Sequence, residues 1–303
     1  MKVEEKIVAT GFAFPEGPCI DEHGIVHVVE LANHCVSRVI GGRRVVLADL
    51  GGSPNGAAFG PDGLLYVCNS GGNWPPKPST NWVAGTGSGL PSIQVVRPDG
   101  SHSVLLSEID GRALNAPNDI CIDACGGFYF TDPAWAERTP EGVAKAEASP
   151  PGDVCYVAPD GRASRVAGGL KFPNGLHVTP DGNALVVAET GTGHLLKFGI
   201  GDGGALGAPE TLVDLGPGSG LDGMCYDCEG RLLVAGCGPG ILFVLAPDLS
   251  SVEQEIALGD PDLTNVCFGG DDFRTLFVTQ GSAGRLAAIQ WPVPGMRLFP
   301  DRR

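Results

Sequence analysis

The 303-residue chain carries 35 Asp and Glu against 20 Lys and Arg, a formal net charge of −15. Nucleic acid and anionic membrane surfaces repel so acidic a chain, and no stretch approaches the roughly 20 apolar residues that a membrane-spanning helix needs. With 43% hydrophobic residues a sizeable core can be buried, and 47 Gly and 25 Pro suit short strands joined by tight turns, not long helices.

Residues 1–6 lead straight into a mixed, strand-like run, without the apolar core and cleavage site of a leader. The expectation is a cytoplasmic protein whose ten cysteines are free thiols in a reducing compartment.

From Glu16 onward one pattern recurs six times: a polar residue, a short β-prone run, a turn and a second strand. The copies are EGPCIDEHG from Glu16, NGAAFGPDG from Asn55, NDICIDACG from Asn118, NGLHVTPDG from Asn174, DGMCYDCEG from Asp222 and TNVCFGGDD from Thr264. Eight residues after each leading position stand Gly24, Gly63, Gly126, Gly182, Gly230 and Asp272. Gly or Asp there suits a turn that needs positive φ or an Asx-type hydrogen bond. The second strands are IVHVVE, LLYVCNS, GFYFTDP, ALVVAET, RLLVAGC and TLFVTQ.

The leading positions are 39, 63, 56, 48 and 42 residues apart, which leaves room for two further strands per unit. VSRVIGG, SIQVVRPDG, DVCYVAPDG, HLLKFGI and ILFVLAPD are candidates for them. Residues 1–303 are therefore predicted to form one all-β domain, a six-bladed β-propeller with four-stranded blades; a sandwich of equivalent hairpins is the weaker alternative. Two insertions, about residues 70–90 with Trp74 and Trp82 and about 133–151 with Trp135, are long enough for binding loops or surface excursions.

In a propeller the first strand of each blade faces the central axis, so Glu16, Asn55, Asn118, Asn174, Asp222 and Thr264 form a ring of oxygen-bearing side chains. Turn chemistry alone accounts for Asn55, Asn174 and Asp222, each followed by Gly; it does not account for Glu16. Two carboxylates and amide oxygens converging on an axis repel or stay unsatisfied without a cation. The all-oxygen set, without His or Cys, favours a hard ion, Ca²⁺ first, then Mg²⁺ or Mn²⁺. Other signals are bland. Cys225 and Cys228 have zinc-knuckle or redox spacing but lie inside the repeat, and His177 occupies an offset that other blades fill with Cys19, Cys121, Cys225 and Cys267. No phosphate loop and no G-x-S-x-G elbow occurs.

FPEGP around Glu16, NAPND around Asn118, FPNGL around Asn174 and LDGM around Asp222 resemble, in order and spacing, the gluconolactonase and senescence-marker-protein (regucalcin) family. The resemblance implies a six-bladed propeller with one divalent metal on its axis. It makes Glu16, Asn118, Asn174 and Asp222 the ligands, with Zn²⁺ or Fe²⁺ further possible ions. Asp222 also matches the family's proposed general base, and Asn118 completes the metal shell or holds substrate. Some animal members carry Arg where this chain has Ala116, so this chain looks closer to the bacterial sugar-lactonase branch. Asn55, Trp74, Trp82 and Trp135 are candidates for lining the sugar pocket.

The implied activity is metal-dependent hydrolysis of a gluconolactone-like sugar lactone to its aldonic acid by a monomer or weak homo-oligomer. The competing readings are a phosphotriesterase or aryl-esterase on the same scaffold and a non-catalytic calcium-binding propeller.

Overall fold

The computed structural model describes residues 3–72, 89–134 and 149–297. They form six four-stranded antiparallel sheets arranged as the blades of a propeller. Strand β1 (Glu5–Thr10) is set aside until the ring closes. Blade 1 is β2 (Pro15–Ile20), β3 (Val26–Glu30), β4 (Cys35–Ile40) and β5 (Arg43–Asp49). Blade 2 is β6 (Pro54–Phe59), β7 (Leu65–Asn69), β8 (Ser92–Val96) and β9 (His102–Leu106). A short hairpin, β10 (Glu108–Ile109) and β11 (Arg112–Ala113), leads to blade 3, made of β12 (Ile120–Ile122), β13 (Phe128–Asp132), β14 (Pro151–Val157) and β15 (Ala163–Lys171).

Blade 4 is β16 (Pro173–Val178), β17 (Ala184–Glu189), β18 (His194–Ile200) and β19 (Leu206–Asp214). Blade 5 is β20 (Leu221–Tyr226), β21 (Leu232–Gly236), β22 (Ile241–Leu245) and β23 (Val252–Ala257). Blade 6 takes β24 (Leu263–Gly269), β25 (Thr275–Gln280) and β26 (Arg285–Gln290) from the end of the chain, and its outermost strand is β1, paired antiparallel with β26. This pairing ties the two ends of the chain together and covers an edge that would otherwise be open.

The repeated glycine does what its spacing predicts. Gly24, Gly63, Gly126, Gly182 and Gly230 all have φ between 74° and 88° in the turn after the inner strand. An aspartate braces three of these turns: Asp21, Asp123 and Asp227 each accept two backbone N–H groups through Oδ1. In blade 6 the positive φ passes to Phe273 (57°), and Asp272 accepts the Arg274 N–H instead.

The core lies between blades. Tyr129 and Val154 of blade 3 pack with Leu176 and Leu185 of blade 4, and Leu233 and Val244 of blade 5 with Val266 and Leu276 of blade 6. All ten cysteines are free. Cys225 is buried and Cys228 exposed, so the CxxC spacing does not gather a pair. Among the described residues no helix is long and apolar enough to cross a membrane.

Candidate active site on the propeller axis

The inner strands β2, β6, β12, β16, β20 and β24 pack side by side around the axis. In five of them the pairing with the second strand slips at the leading residue or within two residues of it: between Glu16 and Cys19, Pro54 and Ala57, Pro173 and Leu176, Leu221 and Met224, Leu263 and Val266. Such bulges re-aim a side chain and locally interrupt pairing. In blade 3 Asn118 sits just ahead of β12, and its N–H donates to Thr131 O at 2.9 Å. All six leading residues are buried, with exposures of 0–7%.

The glycine after the leading residue is not a turn residue, contrary to the turn reading of Asn55, Asn174 and Asp222. These positions lie inside strands, and the glycine lets adjacent inner strands touch. A Cβ on Gly175 would stand 2.1 Å from Asp222 O, and one on Gly17 2.6 Å from Asn55 O. Blades 3 and 6 carry Asp119 and Asn265 at this offset, and these side chains fill the space that glycine leaves next door. A Cβ on Gly56 would meet Asp119 Oδ1 at 2.4 Å, and one on Gly223 would meet Asn265 Cγ at 1.9 Å.

Asp119 and Asn265 belong to the axial constellation although the sequence reading passed over them. Glu16 Oε2 accepts the Gly17 N–H at 2.9 Å. Burial, and then the charge of Asp119, push the Glu16 carboxyl far above the usual range, against the Gly17 and Asn265 hydrogen bonds. Burial likewise raises Asp119, against hydrogen bonds from Ile120, Asn265 and Leu176. The Asn265 amide thus serves both acids. The signal for these residues was present in the repeat: the column after the leading position reads Gly except in blades 3 and 6.

Two leading amides hold buried atoms without partners, Asn174 Oδ1 and Asn55 Nδ2. Thr264 behaves differently, because its hydroxyl bridges Pro15 O (2.7 Å) and Thr279 Oγ1 (2.7 Å), tying blade 6 to blade 1. Glu16, Asn174 and Asp222 on inner strands and Asn118 just ahead of one are therefore buried at the equivalent place in the repeat. Among the described residues no cluster of three or more His, Cys, Asp or Glu side chains is gathered to hold a metal; the four-residue set comprises two acids and two amides.

Beside the ring, an axial cavity of about 120 Å³ touches Gly17, Asp119 and Asn265. Cys19, Cys121, Cys225, Cys267 and His177 also line it, and burial raises the pKa of the Cys19, Cys225 and Cys267 thiols. His177 is a buried wall residue: its Nδ1 is 2.7 Å from Val178 O and its ring meets Tyr226 edge-on at 5.2 Å.

The segment before Asn118 is firmly held. Asp132, at the end of β13, accepts the N–H groups of Asn115 and Ala116 at 2.9 Å, and the Ser70 hydroxyl donates to Pro117 O at 2.9 Å. Desolvation raises the Asp132 carboxyl to about 6 despite these bonds. Trp74, Trp82 and Trp135, named as pocket candidates, lie outside the described residues.

Over 243 residues the chain is 29% identical to a gluconolactonase of Zymomonas mobilis, a match covering 74% of this chain and 60% of that protein's length. It is 27% identical to the diisopropyl-fluorophosphatase of Loligo vulgaris over 215 residues, 68% of each chain. The solved structure of a Xanthomonas campestris gluconolactonase superposes with a TM-score of 0.76 at 25% identity, covering 96% of this chain and 90% of the other. The family model for the SMP-30/gluconolactonase/LRE-like region matches residues 14–282, and the chain belongs to that family.

Proposed function

We propose that this protein is a metal-dependent lactonase that opens a small gluconolactone-like sugar lactone to its aldonic acid. The observation that carries the reading is the burial of Glu16, Asn118, Asn174 and Asp222 at the equivalent place in the repeat of four blades. Resemblance to the gluconolactonases of Zymomonas mobilis and Xanthomonas campestris supports it.

The donor set suits a divalent cation, Ca²⁺ first. Asn174 Oδ1 is a buried acceptor without a partner, and the Glu16 carboxyl is destabilised as an anion by burial and by Asp119. Both strains are relieved by a cation, and hard oxygen donors match Ca²⁺, Mg²⁺ or Mn²⁺. Glu16, Asn118, Asn174 and Asp222 would hold the ion, which supplies a Lewis-acid position for a lactone carbonyl oxygen.

The protein's own groups divide the remaining work. Asp222 takes the proton of the attacking water and returns it to the ring oxygen that leaves, as general base and then acid. The Asn118 and Asn55 amides bind sugar hydroxyls. Asp132 fixes the backbone before Asn118 and so acts as a positioning residue. No covalent nucleophile is required, because the lactone is already an activated ester. Free thiols and the charge of −15 suit a cytoplasmic protein acting on a small molecule as a monomer or weak homo-oligomer.

Acid release from gluconolactone and xylonolactone, measured with an indicator dye, tests the reading. Hydrolysis above the spontaneous rate should vanish with chelator and return with Ca²⁺. Asp222→Asn should lower the rate by about 10²–10⁴-fold; a variant that keeps full activity refutes the role of Asp222. Similarity to the Loligo vulgaris enzyme supports a second reading, a phosphotriesterase. Chelator-sensitive release of fluoride from diisopropyl fluorophosphate with no lactone opening would favour it.

A further inference from the structure

A second cavity, of about 540 Å³, opens between blades 1 and 2. It lies at the other end of the inner strands from the ring. Asp21 of the β2–β3 turn lines it, and at about 3.3 Å per residue that turn is about 16 Å along β2 from Glu16. The β6–β7 and β8–β9 turns complete its rim, and Ile20, Phe59, Leu65 and Val96 supply apolar wall.

Three arginines border this cavity: Arg38, Arg97 and Arg297. Of the eight described arginines elsewhere, Arg44, Arg112, Arg162, Arg165, Arg231 and Arg285 each stand within 4.0 Å of a carboxylate, and Arg43 and Arg274 do not. Among the described residues none of the three cavity arginines does, in a chain where acids outnumber bases 35 to 20. The neighbouring acids are engaged locally. Asp21 accepts the His23 and Ile25 N–H groups, Asp62 accepts the Leu64 N–H and the Tyr66 hydroxyl, and Glu22 lies 3.8 Å from His23.

Arg38 is fixed by burial, the backbone of Arg97 by a tight turn, and Arg297 by a ring contact. Arg38 on β4 is the cross-strand partner of His27 on β3, so both side chains leave the same face of blade 1. That face looks toward blade 2, where the His27 ring meets Phe59 edge-on at 5.0 Å. Arg38 Nε is buried without a hydrogen-bond partner. Arg97 starts a turn closed by Gly100, whose N–H donates to Arg97 O at 2.9 Å. Gly100 has φ +86°, and a Cβ there would stand 2.3 Å from Leu47 O, so this turn is pressed against blade 1. The Arg297 guanidinium lies 4.8 Å above the Phe273 ring.

We propose that this cavity is a second small-molecule site, distinct from the axial ring, which takes an organic carboxylate with a hydrocarbon body. A guanidinium fork matches a carboxylate and keeps its charge at every working pH. The apolar wall takes the body of the ligand, and the volume lies in the range of small-ligand pockets. Nothing in this inference depends on the reaction at the ring.

Calorimetric titration of the full chain with benzoate tests it, with benzyl alcohol as the neutral isostere and gluconate as the polyhydroxylated acid. Benzoate should bind saturably and more tightly than either. Arg38→Gln and Arg97→Gln should each weaken it about tenfold, the scale of a lost charged hydrogen bond, while Arg43→Gln, outside the cavity, should not. Arg97 is exposed, so Arg97→Gln reports even if Arg38→Gln does not fold. Equal binding of benzyl alcohol or gluconate, no benzoate binding, or benzoate binding unchanged in Arg97→Gln overturns the proposal.

Discussion

Within blade 4, β16 is buried at all six residues, whereas β19, the outermost strand of the same sheet, has no buried residue among nine. Both strands make the same backbone ladder, so the difference lies in what surrounds them. An inner strand meets the inner strands of both neighbouring blades and can admit only glycine where their backbones touch. An outer strand meets water and needs only to complete the sheet. The acids divide in the same way. Glu16, Asp119 and Asp132 near the axis are raised chiefly by burial, while Asp99, Asp160, Asp181 and Asp248 in exposed turns are lowered chiefly by hydrogen bonds they accept.

The largest test of this contrast is a methyl group. Gly175→Ala places Cβ against the Asp222 carbonyl on an axis that cannot widen, and should destabilise by about 3 kcal/mol or more. Gly207→Ala on β19 meets nothing closer than Gly199 O at 3.7 Å, and should change stability by less than about 0.5 kcal/mol. Thermal unfolding of the two variants measures the difference; equal losses would mean that the inner ring is looser than described.

Next comes pH. Asp132 titrates near 6 in the folded chain against a reference value of 3.8. Between those values the folded state holds more protons than the unfolded state, so this group's contribution to stability is present below about pH 4 and lost as pH rises to about 6. Asp132→Asn should flatten that part of the stability–pH curve, by an amount on the order of 2 kcal/mol. An unchanged slope in denaturant titrations from pH 4 to 7 would show that Asp132 is not its source.

The smallest effect belongs to the rim. Asp181 accepts the Thr179 hydroxyl at 2.6 Å and the Asn183 N–H at 3.1 Å, bonds that lower its pKa. Its contribution is present above about pH 4 and fades as pH falls, opposite in sign to that of Asp132. Asp181→Ala should cost about 0.5 kcal/mol at pH 7 and less at pH 3, a loss that chemical denaturation at the two pH values resolves.

Most of the fold was legible before any coordinates. The inner and second strands of all six blades, and the third strands of blades 1 to 5, were readable because glycine-marked turns and β-branched runs recur at a fixed offset. HLLKFGI coincides with β18 residue for residue. The outermost strands were not. ASRVAGGLK, LGAPETLVD and VEQEIA are half-exposed and carry no apolar alternation that separates them from loop. Blade 6 gave no sign that its fourth strand would be EKIVAT from the other end of the chain, because pairing between β1 and β26 is backbone hydrogen bonding that many sequences satisfy.

At the site, the repeat marked the ring of six leading residues, and the family resemblance singled out Glu16, Asn118, Asn174 and Asp222 among them. Asp119 and Asn265 stood in the adjacent column and were passed over, since the glycines of that column had been read as turn residues. Local sequence determined the strands, their turns and the repeat that counts six blades, because turn geometry and side-chain alternation act over a few residues. Tertiary structure alone decided which backbones touch at Gly17, Gly56, Gly175 and Gly223, which acids share Asn265, and that Arg38 and Arg97 of two blades border one cavity. Those relations join segments tens of residues apart, and the bulges and steric limits that set them exist only once the ring has closed.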